Sequence, residues 1–150
     1  MQAIFGGIIA VILLGLYVHL IRVATLIVSC ASHQPCTAYP TSLFNPGMEQ
    51  ALSLIGGLVS ALVIAELAVT SPGELPTVGA WKTAGKATAP WALKVISVVY
   101  ILTWMAAGFW AFIIGLYHPA VLPALTSLGQ AWLGLAIAAA YAYFGLQRQP

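Results

Sequence analysis

Charge is what this sequence has least of. Five basic and three acidic side chains make up 5 % of its 150 residues, while 61 % are hydrophobic. A soluble domain carries about 25 % charged residues, so eight charges cannot build a water-facing surface. Lys and Arg are few and dispersed, which removes the basic patch that nucleic-acid binding needs. The apolar mass is far too large for disorder. Other absences are chemical: no Walker loop, no HExxH, no Cys/His metal cluster, and no G-x-S-x-G or Ser/His/Asp constellation. No cofactor or metal is expected. Mean hydropathy is +0.99, and the composition describes an integral membrane protein embedded in a lipid bilayer.

Four continuous apolar runs reach the roughly 20 residues that a membrane-crossing helix requires. They cover about residues 3–29, 51–70, 92–117 and 122–146. These are unbroken runs, unlike the ten-residue alternation of an outer-membrane barrel. The expected fold is therefore all-α: one bundle of four transmembrane helices with short loops. Residues 30–50 hold two Cys and three Pro, and residues 71–91 hold three Pro and three Gly; both read as loops. His118-Pro119 and Pro123 bound a very short third connection, which makes spans three and four an antiparallel hairpin. No internal repeat is visible, nor the paired broken helices of inverted-repeat transporters.

Basic residues near span ends set orientation. Lys82, Lys86 and Lys94 lie in or beside the second loop, and Arg148 lies in the C-terminal tail. The loop 71–91 and both termini are expected in the cytoplasm, with loops 30–50 and 118–122 outside, in a bacterial inner membrane. Trp81, Trp91, Tyr39 and Tyr117 fall where aromatic rings anchor helices at the interface.

Cys30 and Cys36 then lie in an outside loop, where a disulfide is permitted. Their CxxxxxC spacing and the lack of a second pair argue against a thiol redox centre. The run Ile27-Val28-Ser29-Cys30 resembles a bacterial lipobox. A lipoprotein signal has a basic start and a short apolar core, and neither is present before Arg22. The segment is expected to be retained as a membrane helix.

Ionisable groups within spans are costly, and so mark candidate sites. Gly15, His19 and Arg22 follow i, i+4, i+7 spacing on one face of span one, with Ser29 near the same stripe. The expectation is that this stripe points into the bundle or a water-filled cavity. Glu66 is the acid inside span two. Pairing with Arg22 would need span two to begin near Pro46, or a tilted packing. His33 reads as solvated, and His19 and His118 lie too far apart in depth to share a haem.

Small residues mark helix-packing seams. Candidates are Gly56 and Ser60 on span two, Ala107, Ala111 and Gly115 on span three, and Gln130, Gly134 and Ala138 on span four. Trp104, Phe109, Trp110 and Phe112 crowd span three, and most are expected to face lipid or a neighbour. With so few catalytic groups, a non-enzymatic role is favoured. The leading expectation is a homo-oligomer forming a pore, channel or permeation path, of holin or small ion-channel type. The alternative is an accessory or structural subunit of a larger membrane complex. The third is a membrane thiol or quinone oxidoreductase using Cys30 and Cys36.

Overall fold

The computed structural model describes residues 2–33, 37–68 and 91–144, with side chains for residues 7–33, 37–68 and 95–144. Lys82, Lys86, Cys36, Arg148, Trp81 and the whole second loop lie outside the described residues. Four helices account for most of the rest: α1 (Gln2–Ser32), α2 (Pro46–Ala68), α3 (Trp91–Tyr117) and α4 (Pro123–Phe144). A short 3-10 turn, Thr41–Leu43, precedes α2 and packs on α1.

Each helix is long and apolar enough to cross a bilayer. Helix is the form a chain takes there, because every backbone N–H and C=O must be satisfied within the segment. The outside of the bundle is correspondingly greasy: Leu54, Leu102, Leu116 and Phe109 are all more than half exposed. In water such a surface would be an aggregation liability; against lipid tails it is solvated.

α2 starts at Pro46, earlier than the apolar run suggests. Asn45 is the reason. Its side-chain Oδ1 accepts from the Met48 N–H at 3.0 Å, and its carbonyl accepts from Glu49 N–H at 3.1 Å. Proline suits the first helical position, having no N–H to leave unsatisfied. Glu49 in the first turn complements the positive end of the helix dipole. Pro123 opens α4 in the same way, after a tight turn in which Val121 N–H donates to His118 O at 3.3 Å.

The closest packing is between α3 and α4, followed by α2 on α4, α1 on α2 and α1 on α3. The helices therefore run round the bundle in the order α1, α2, α4, α3. Glycine sets the α3–α4 approach. A Cβ built at Gly129 would stand 2.6 Å from the Phe112 Cα, and one at Gly115 would stand 2.8 Å from the Thr126 Cα. At Gly108 the Trp132 indole lies directly over the backbone. With no hydrophobic drive between helices in lipid, this close contact is the main source of attraction.

The core is shut by large side chains. Trp104 is 1 % exposed and donates its indole N–H to Ser60 Oγ at 3.0 Å, joining α3 to α2 across the bundle. Its ring meets Trp132 at a centroid distance of 5.8 Å. Tyr17, Leu52, Leu125 and Leu128 complete the plug. Trp104 is the exception among the span-three aromatics expected mostly to face lipid or a neighbour, because Ser60 and Trp132 give it an acceptor and a tilted aromatic contact inside. Phe109 and Trp110 do face outward.

Candidate functional site

The register between helices fixes how deep each polar group lies. Gly56 of α2 touches both Tyr17 of α1 and Leu128 of α4, and the neighbouring Gly129 meets Phe112 of α3. These residues share one level. Moving five residues towards the 3-10 turn raises the level by about 8 Å. On α1 that reaches Arg22; on α3 and α4 it reaches the turn joining them. Arg22 therefore stands level with the His118–Leu122 turn, at the end of the α3–α4 hairpin, and is exposed.

Glu66 lies ten residues from Gly56 in the other direction. Along the bundle axis it is about 22 Å from Arg22, at 1.5 Å rise per residue. The early start of α2 at Pro46, the condition that pairing would need, does not bring the two together. Each residue added at the start of α2 carries Glu66 further from the end where Arg22 sits. Arg22 and Glu66 are thus far apart along the bundle, and Glu66 is half-buried.

The face of α1 also differs from expectation. Gly15, His19, Arg22, Leu26 and Ser29 are all exposed, on the outside of the bundle. A Cβ at Gly15 would meet nothing within 4 Å. The interior is occupied instead by Tyr17, Leu20, Ile21, Ala24 and Ile27 of the opposite face. The end of the hairpin is at the height of Arg22, and a long Arg side chain on the outward face can extend towards the interface. Going inward, the same face continues as Ile12 and Ile8, both more than half exposed. The polar stripe thus covers only the half of α1 near the 3-10 turn.

Among the seam candidates, Gly56, Ser60, Ala111 and Gly115 are buried between helices, and Ala107 is half-buried. Gln130, Gly134 and Ala138 face outward, and nothing lies within 4 Å of a Cβ at Gly134. The α4 contact seam runs through Gly129 and Trp132 instead. The spacing that could have marked it is the i, i+7 pair Gly108 and Gly115. Cys30 is buried at 8 % and is not a free thiol. His33 is exposed, and His118 is half-buried at the hairpin turn. Among the described residues, no group of three or more His, Cys, Asp and Glu could hold a metal ion.

One feature was not legible from spacing. A groove of about 410 Å³ runs between α2 and α4, with Glu49 and Ser53 along one wall and Ser127 on the other. Its floor includes Tyr17, 1 % exposed, whose hydroxyl has no hydrogen-bond partner among the described residues. Compared with protein-family models, curated proteins and solved structures, the chain matches none of them.

Proposed function

We propose that this protein is a non-catalytic membrane subunit that works by lateral association, with the outward face of α1 as its docking surface. The observation that carries this is the exposure of His19, Arg22 and Ser29 on one face outside a closed four-helix core. Donors on a lipid-facing helix are better satisfied by another protein than by hydrocarbon. The partner is a transmembrane helix, from another protein or a second copy, that presents carboxylate or carbonyl acceptors near the membrane surface. The lysines of the sequence support the orientation: loop 71–91 and both termini on the cytoplasmic side of a bacterial inner membrane, with the 3-10 turn outside.

A photo-crosslinking residue at Leu26 tests the face directly, with the same residue at Leu54, 68 % exposed on α2, as control. Protein adducts from position 26 and lipid adducts from position 54 are expected, and Arg22→Ala should reduce the former. Lipid adducts alone from both positions would sink the proposal. A pore between copies would use the same α1 face. Ile8 and Ile12 make its inner half apolar, so liposomes carrying the purified protein are expected to show no ion flux. Flux abolished by His19→Ala would restore the pore reading.

A Cys30–Cys36 disulfide is part of the proposal, supported by a buried Cys30 whose thiol is not free. Closing so short a loop contributes about 2 kcal/mol in the chain-entropy model. Denatured, unreduced protein should take up no maleimide, and two labels per chain would refute the bond.

A further inference from the structure

We propose that the groove between α2 and α4 is a binding site for a membrane lipid with a primary-ammonium headgroup and an ester carbonyl, the chemistry of phosphatidylethanolamine. The groove opens sideways: Ser53 and Gly57 on α2 and Ser127 on α4 line it and are exposed. In a bilayer such a cleft is filled by a chain from the lipid phase, and its own chemistry selects which lipid.

Three features make the selection. Glu49 lies at the end near the 3-10 turn, in the first turn of α2, and places an exposed carboxylate at the groove mouth. It favours a cation that can also donate hydrogen bonds. Seven residues along α2, about 10 Å deeper, Tyr17 lines the floor, and its buried hydroxyl has no hydrogen-bond partner among the described residues. A buried hydroxyl of this kind lacks an acceptor, which an ester carbonyl supplies. Ser53 and Ser127 lie between these levels and offer hydroxyls to phosphate oxygens. Below Tyr17 the lining becomes Trp132 and Leu135, apolar surface suited to one acyl chain. The buried Trp132 N–H also has no partner among the described residues, but its edge rests against Gly108, which leaves Tyr17 as the donor for a ligand. Ethanolamine, phosphate and glycerol, in that order, match the sequence of carboxylate, serines and tyrosine along the groove.

The test is lipid retention by the full chain, purified in detergent and exchanged against dioleoyl-phosphatidylethanolamine, -phosphatidylcholine or -phosphatidylglycerol, read by native mass spectrometry. The ethanolamine lipid should be retained at least fivefold over the choline lipid, which has a charge but no N–H. The glycerol lipid should be retained least. Tyr17→Phe should lower retention about fivefold, the value of one net neutral hydrogen bond, and Glu49→Gln at least about tenfold, that of one to a charged group. Gly57→Leu fills the groove from its rim, where a Cβ meets nothing within 4 Å. It should abolish retention while leaving the lipid-free melting temperature in place. Equal retention of the three lipids overturns the proposal, as does retention indifferent to all three variants. Disulfide-linked dimers through Gly57→Cys would also overturn it, by showing a second copy in the groove.

Discussion

Gly129→Val should abolish the folded bundle, with a loss greater than about 3 kcal/mol. The reason is what stands opposite. The nearest atom to a Cβ at this position is the Phe112 Cα, at 2.6 Å, followed by other backbone atoms of Phe112 and Ala111. A side chain in the way could change rotamer; a helix backbone cannot. The α3–α4 hairpin must move apart, and the contacts at Gly115 and Gly108 go with it. Gly134→Val is the matched control, on the same helix but facing open space. It should change stability by less than about 0.5 kcal/mol. Thermal melts of both variants in detergent check the contrast, and similar melting temperatures would show that the seam does not hold the fold.

Trp104→Ala should be the second most damaging change, at about 3–5 kcal/mol, the usual cost of deleting a buried aromatic side chain. The indole fills the centre of the bundle, meets the Trp132 ring at a tilt of 56° and donates to Ser60. Trp104→Phe keeps part of the volume and should cost less. Ser60→Ala removes only the acceptor, and hydrogen bonds between helices in membranes average about 0.6 kcal/mol. Unfolding in graded denaturing detergent should therefore rank Trp104→Ala first, Trp104→Phe second and Ser60→Ala last. Were Ser60→Ala as severe as Trp104→Ala, hydrogen bonding rather than packing would dominate the core.

The sequence shows the helices plainly because lipid demands long apolar runs, and nothing else in the chain competes with that signal. It shows less well where the helices begin. Asn45, Pro46 and Glu49 form a helix start, but they sit among loop-forming residues and outside the apolar run, so α2 reads short. Which way each face points was the hardest feature. Polar residues within a span are expected to face inward, yet His19 and Arg22 face out. The rule assumes the full depth of hydrocarbon around them, and the α3–α4 hairpin ends at the height of Arg22. That height follows from helix register, which one span by itself does not contain. The groove was hidden for a related reason. Tyr17 sits between aliphatic neighbours in α1, and it acquires meaning only when Gly56 and Leu128 pack beside it.

The α3–α4 seam also has a consequence for how the chain is assembled. Its partners are close in sequence, joined by a turn of a few residues, so bringing them together costs little loop-closure entropy. The two helices can leave the insertion machinery already paired. α1 and α2, made earlier, have a less intimate interface of their own and wait for that hairpin. Trp104, carried in with α3, finds its Ser60 acceptor only on docking. A hairpin formed first would offer α1 and α2 a ready surface on which to settle.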